Sequence, residues 1–273
     1  MKQRQAIRER FKGKVAIVTG GSAGIGQATV EELCKEGSAV AFTGIEEDLG
    51  RKVADKLEQD GYEAIFCHGD MADEQFCKNV VKRTLDRWGK VHYLVNNAFS
   101  FVSRGLDATR ADWERVFQVG PFAFATMAQN VAEPMKQGGG GAIVNVSSIS
   151  AFIAQPGRWT YNSAKGAVET LTKCMALDLV AYGIRVNGVS PGWIWTRVVD
   201  EAAGWDRAKW EAVWGQFHML ERCGEPVEVA AAILFLLSDD AAFITAANLP
   251  VDGGYLGMGS EGLGKSSEFA DSK

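Results

Sequence analysis

The stretch Val15-Ala16-Ile17-Val18-Thr19-Gly20-Gly21-Ser22-Ala23-Gly24-Ile25-Gly26 decides the fold. Its first five residues form a short β-branched run that reads as a strand. Gly20 and Gly21 break the run. Helical periodicity then continues from Ile25 to Glu36 and stops at Gly37. A strand that passes through a glycine turn straight into a helix opens a βαβ unit. Glycine serves such a turn in two ways. It accepts φ > 0, and its bare backbone lets a pyrophosphate approach the helix N-terminus, where free amides and the helix dipole favour an anion. Ligands of open α/β sheets gather at the carboxyl ends of the strands. The stretch therefore predicts a dinucleotide site.

Working outward, further strands are expected at Ala39–Thr43, Ala64–Cys67, Val91–Val95, Ala142–Val146, Ile184–Val189 and Ala247–Val251. Helical patterns separate them. Thr109-x-x-Asp112 resembles a capping box and opens a long helical pattern to about Lys136. Others run from Tyr161 to Ala181, from about Val198 to Phe217, and from Pro226 to Leu237. Alternating strands and helices imply parallel pairing. Apolar strands without period-2 alternation imply a sheet covered on both faces. The expected fold class is α/β: a single doubly wound domain with a mainly parallel seven-stranded sheet.

The chain has 273 residues, 47% of them hydrophobic and 23% charged, which excludes a disordered chain, a collagen and a coiled coil. A net charge of −5 lacks the basic footprint of a nucleic-acid binder. Five cysteines at irregular spacing, with no C-x-x-C pair, suggest buried thiols in a reducing compartment. The charged start MKQRQAIRERF has no apolar core of a signal peptide. The longest uncharged run, Val116 to Ala132, is broken by Gln118, Gly120 and Pro121 and is too polar to span a membrane. A soluble, cytoplasmic protein is expected. His68, His92 and His218 are too scattered for a metal site. His68 and His92 border strands and read as structural, and His218 is a lesser candidate for touching substrate.

Tyr161 and Lys165 are four apart on an expected helix and share a face. A phenol ordinarily titrates near pH ~10. A neighbouring ammonium lowers it, which suits a general acid or base. Ser148 ends the strand before this helix, and its hydroxyl could hold a substrate oxygen beside Tyr161.

With Thr19, the G-x-x-x-G-x-G spacing resembles the short-chain dehydrogenase/reductase family. The resemblance extends over nearly the whole chain, through Asp70, Asn96-Asn97-Ala98, Ser148, Tyr161-x-x-x-Lys165, Asn187, Pro191-Gly192, Thr196 and Val251-Asp252-Gly253-Gly254. It implies a Rossmann-type domain over residues 13–256, with a substrate loop at about 192–224. A charged extension (1–12) precedes it. A tail (257–273), disordered or folded on a neighbouring subunit, follows. It implies that Tyr161 gives or takes the hydroxyl proton, Lys165 holds the nicotinamide ribose, and Ser148 positions the carbonyl or alcohol. The cofactor residues it implies are Gly20, Ser22, Gly24, Ile25, Gly26, Ile45, Asp70, Met71, Asn97, Tyr161, Lys165, Pro191, Ile194 and Thr196. The activity it implies is NAD(P)-dependent interconversion of a secondary alcohol and a ketone. The Tyr161–Lys165 spacing disfavours the family's enoyl-reductase branch. Dimers or homotetramers are implied, and the small, uncharged Phe122–Ala128 stretch is compatible with such packing.

Two positions depart from the family pattern. Phe99 replaces a glycine after Asn-Asn-Ala, where its ring either narrows the pocket, packs on the substrate or turns into the core. Val119-Gly120-Pro121 stands where the family has Val-Asn. Pro121 should break the helix and free the carbonyl of Phe117. Either backbone carbonyls then hold the relay water without the Asn, or the relay is impaired and the protein is a nicotinamide-binding regulator or scaffold.

No basic residue stands at Gly44, Ile45 or Ala23, where NADP-preferring members carry one. Glu46 or Glu47 could reach the ribose and would repel a 2′-phosphate, though both could be ordinary first-turn helix acids. NAD(H) is the expected preference and NADP(H) the alternative. The substrate candidates are Phe99, Arg158, Trp193 and Trp195, with Trp210 and Trp214 expected to pack. Indole faces suit a ring and an arginine suits a carboxylate. The expected substrate is a cyclic or sugar-derived secondary alcohol.

Overall fold

A computed structural model describes residues 4–263. The seven strands are β1 (Val15–Val18), β2 (Ala39–Gly44), β3 (Ala64–His68), β4 (Tyr93–Asn96), β5 (Gly141–Val146), β6 (Ile184–Pro191) and β7 (Asn248–Val251). They form one sheet in the order β3-β2-β1-β4-β5-β6-β7, and every pairing is parallel. The order reverses between β1 and β4, so a crevice opens there at the carboxyl ends of the strands.

Helices α1 (Gly24–Lys35), α2 (Glu47–Gln59) and α3 (Glu74–Trp88) follow the first three strands. Next come α4 (Arg110–Phe117), α5 (Ala123–Gln137) and α6 (Trp159–Leu179), then α7 (Arg197–Ala202), α8 (Arg207–Gly215) and α9 (Pro226–Leu237). Two hydrophobic cores sandwich the sheet. One is built from Val30, Leu33, Ile233 and Leu234 of α1 and α9. The other comes from Val80, Met127, Val131 and Met175 of α3, α5 and α6. The charged start of the chain lies on the first layer: Arg4 pairs with Glu32 and Glu36, Arg10 pairs with Glu36 at 2.6 Å, and Phe11 is buried edge-on to Tyr93. The tail assigned to 257–273 extends beyond the described residues, which end in a short 3-10 turn at Ser260–Leu263.

Two helical expectations are corrected. The long pattern from Thr109 to Lys136 is two helices joined by a π-turn at Gln118–Phe122, because Pro121 offers no amide to continue the ladder. Its start is as expected, with Thr109 and Asp112 capping each other. The insertion from Val198 to Phe217 is likewise two helices, separated where Gly204 and Trp205 both take positive φ. Among the described residues, no helix is long and apolar enough to cross a membrane.

Candidate active site

The glycine turn sits at the mouth of the crevice. Gly20 and Gly24 take φ of +66° and +56°. A β-carbon on Gly26 would lie 2.0 Å from the Gly20 carbonyl oxygen. Each position therefore excludes a side chain. Ala23 caps α1 without a side-chain hydrogen bond, and the first turn carries no acid, so the helix amides stay available to an external anion. Thr19 Oγ1 accepts from the Asn97 and Ala98 amides, and Asn97 Nδ2 donates to the Thr19 and Gly20 carbonyls at 3.0 Å. Asn97 thus spends its amide nitrogen on fastening the turn to β4. Ser22, Gly24, Ile25 and Thr196 line the crevice beside it. Bare amides and tightly approached backbone fit the diphosphate of a dinucleotide.

Ile45, Asp70 and Met71 flank the outer end of this crevice. Burial pushes the Asp70 carboxyl up, but the Ala72 amide and the Arg115 guanidinium, 2.6 Å away, outweigh it and hold it below the usual carboxylate range. Arg115 is a lining residue the sequence did not reveal, because it lies 45 positions from Asp70. Neither candidate ribose acid is free. Glu46 is ion-paired with Arg197 across the crevice, and Glu47 with Arg51 at 2.5 Å. Tertiary structure thus brings a cation to Glu46, whereas Glu47, in the first turn of α2, pairs within its own helix.

At the inner end, β5 leads to Ser148, and α6 carries Tyr161 and Lys165 to the same cavity. Lys165 is only 3% exposed, and its Nζ donates to the Val146 carbonyl at 2.8 Å. Burial pushes its ammonium down to about 7, opposed by the Glu169 carboxylate. Glu169, one turn along α6, is itself buried and accepts from Ser190 Oγ at 3.3 Å. The helical spacing from Lys165 could have flagged it.

The expectation that Lys165 lowers the Tyr161 phenol is not met. Burial holds the phenol above its ordinary value, while the Ser148 hydroxyl and Arg158 pull it down. The reason is positional: Nζ is drawn toward β5, 5.7 Å from the Tyr161 ring centroid.

What draws Lys165 inward also settles the alternatives for Phe99. Its ring packs face-on beneath the lysine, 3.6 Å from Nζ to the centroid, and edge-on to Tyr161 and Phe124. It still lines the cavity. A β-carbon on Gly120 would lie 2.5 Å from Phe99 Cε2, so the ring occupies the room beside Gly120. The Gly120 carbonyl accepts from the Ala123 amide.

The cavity above Tyr161 has a volume of about 360 Å³ and mainly apolar walls. Pro191, Trp193 and Ile194 line it, and Arg158 lies over the rings of Phe101 and Trp193. Trp193 stacks on Trp214 at 5.1 Å, so Trp214 both packs and lines the cavity. Trp195 does not face the cavity. It is 7% exposed and bonds Asp200 through Nε1. Both indoles meet Trp214, but Trp193 lies on its cavity side and Trp195 is buried with Ala203 and Cys223. His218 is buried and accepts from the Trp193 amide, propping the loop from behind. Phe122–Ala128 mostly faces the core, with only Phe122 well exposed among its large side chains.

A family model described as enoyl-(acyl carrier protein) reductase matches residues 20–256. The chain belongs to the short-chain dehydrogenase/reductase family. A cyclopentanol dehydrogenase of Comamonas sp. is 35% identical to this short-chain dehydrogenase/reductase over 247 residues, covering 90% of this chain and 98% of that protein. An NADP-dependent (R)-specific alcohol dehydrogenase of Lentilactobacillus kefiri is 36% identical, covering 91% and 99%. A solved 7α-hydroxysteroid dehydrogenase, in complex with NADH and 7-oxo glycochenodeoxycholic acid, superposes with a TM-score of 0.84. It is 32% identical, with 90% of this chain and 96% of that one covered. This short-chain dehydrogenase/reductase is an alcohol dehydrogenase or ketoreductase.

Proposed function

We propose that the protein interconverts a cyclic secondary alcohol and its ketone with NAD(P), preferring NAD(H). One observation carries this reading: Ser148, Tyr161 and the buried Lys165 converge on the floor of an apolar cavity continuous with the glycine turn. Gly20, Ser22, Gly24, Ile25 and Gly26 hold the diphosphate. Ile45, Asp70 and Met71 flank the adenosine. Asn97, Tyr161, Lys165, Pro191, Ile194 and Thr196 surround the nicotinamide riboside. When bound, the nicotinamide supplies the hydride acceptor or donor.

Tyr161 takes the alcohol proton during oxidation and returns it during reduction. Ser148 holds the substrate oxygen and stabilises the phenolate by hydrogen bonding. Lys165 adds positive charge beneath the phenol. Trp193, Trp214 and Phe101 suit an apolar ring, and no carboxylate stands among the described lining residues to bind sugar hydroxyls. The cyclic reading is therefore preferred over the sugar-derived one. The NAD(H) preference rests on Glu46, which neutralises Arg197, a cation lining the outer crevice. Exposed Phe122, Leu177 and Val180 provide apolar surface for a dimer or homotetramer. Five free cysteines, four of them buried, suit a reducing, cytoplasmic setting.

The test is nicotinamide absorbance with a panel of cyclopentanols, cyclohexanols, hydroxysteroids and sugar alcohols, each with NAD⁺ and NADP⁺. Turnover of cyclic alcohols, faster with NAD⁺, is expected. Tryptophan-to-nicotinamide energy transfer with NADH, but no turnover of any alcohol or ketone, would overturn the enzymatic reading.

A further inference from the structure

We infer that Phe99 and Gly120 together form the seat of the Lys165 ammonium, which makes Phe99 a positioning residue for Tyr161. The inference rests on the roles of Tyr161 and Lys165 proposed above. At 3.6 Å, the Lys165–Phe99 approach is the shortest cation–ring contact among the described residues; the next, Lys136 on Tyr182, is 4.5 Å. A cation over a ring face gains most where water is excluded, and Lys165 is buried. An ammonium has three donors. One is directed at the Val146 carbonyl, and the ring faces the ammonium from another side.

The ring is itself held on several sides. Tyr161 and Phe124 meet it edge-on, both at interplanar angles of 81°. Gly120 closes the seat by having no side chain: even a methyl group there would sit 2.5 Å from a ring carbon. A large residue after β4 and an absent side chain in the π-turn are therefore one unit. Two segments distant in sequence build it, and neither position makes sense alone.

The seat acts on charge as well as place. Tyr161 and Glu169, both on α6, are the titratable groups facing Lys165. β5 presents a carbonyl, the segment after β4 presents the Phe99 ring, and the π-turn presents Gly120. Arg158 acts on the far side of Tyr161. Burial favours a neutral amine, whereas Glu169 and the ring face favour the ammonium. Removing the ring's negative face favours the neutral amine, so Lys165 gives up its proton at lower pH and less of it is charged at neutral pH.

Phenylalanines of increasing ring fluorination at position 99 keep the shape and drain that face. Two quantities are read across the series: the Lys165 titration, by NMR of ¹³C-labelled lysine in the protein without cofactor, and the alkaline limb of the pH–kcat profile for alcohol oxidation, where the ammonium is lost. The lysine titration is expected to fall by about one pH unit in total. The alkaline limb should move down with it, kcat at pH 7 should fall about fivefold, and KM should hold within about twofold. A lysine titration and an alkaline limb that both stay fixed would overturn the inference.

Gly120→Ala and Phe99→Leu should each cost about tenfold in kcat, and together no more than either alone. Additive losses of about a hundredfold would overturn the pairing. So would a gain above about tenfold in Gly120→Asn. The lysine titration needs no substrate, so it decides the seat even if no alcohol is turned over. Turnover with an unmoved titration removes the seat and leaves the proposed function standing.

Discussion

The two ends of the crevice are built on opposite principles. The outer end is charged, half-exposed and balanced by long-range pairs: Asp70 with Arg115, and Glu46 with Arg197. The inner end is dry and close-packed, with one ammonium held by a carbonyl, a ring and a distant carboxylate. Exposed ion pairs contribute little and exchange partners readily. A buried cation is costly, and its neighbours are therefore constrained. The outer end can tune which cofactor binds without disturbing the fold, whereas the inner end ties chemistry to packing.

The sharpest way to break this comparison is Tyr161→Phe. Removing one buried hydroxyl should lower kcat/KM by about 10³-fold or more, with NADH affinity, followed by fluorescence titration, within about threefold of the parent. If activity survived, the inner end would not be the chemical end.

Lys165→Met should abolish turnover and stabilise the fold. The folded-state value is lowered to about 7 from 10.5. Between these values the unfolded chain binds more protons, so the parent's stability rises with pH across that window and is lowest below it. Urea unfolding should show the variant more stable by about 1–3 kcal/mol at pH 6, with the gain fading toward pH 10. A variant less stable at pH 6 would mean that burial does not penalise this charge.

The two neighbouring indoles should separate. Trp193→Ala is expected to raise KM for cyclic alcohols about tenfold with little loss of stability. Trp195→Ala is expected to cost about 3 kcal/mol in unfolding, with KM nearly unchanged. The reverse pattern would place the cavity wall on the wrong residue.

The smallest effect belongs to the outer end. Glu46→Gln releases Arg197 and should raise the NADPH-to-NADH affinity ratio about three- to fivefold, read by parallel fluorescence titrations. An unchanged ratio would mean that Arg197 does not reach the ribose end.

Much of the site was legible because its signals are local. The glycine turn lies within one strand-to-helix connection, Tyr161 and Lys165 lie within one helical turn, and Ser148 ends the strand before them. Their geometry follows from the backbone's own periodicity. The alternation of strands and helices likewise led to the parallel sheet. Pro121 marked a break, but not that a π-turn would absorb it. Trp193 and Trp195 looked equivalent in the sequence, and only the packing of the loop against Trp214, Ala203 and Cys223 puts one on the cavity wall and the other in a core.

The sequence alone determined the fold class, the glycine turn and the grouping of Ser148, Tyr161 and Lys165, since each depends on short spacings and side-chain type. Tertiary structure decided which charges meet and which spaces are filled. Glu46 and Arg197 are 151 positions apart, and Asp70 and Arg115 are 45 apart. Phe99, Gly120 and Lys165 come from three separate segments. No local pattern encodes such meetings, because electrostatics and close packing act through space and depend on where the sheet brings its loops together.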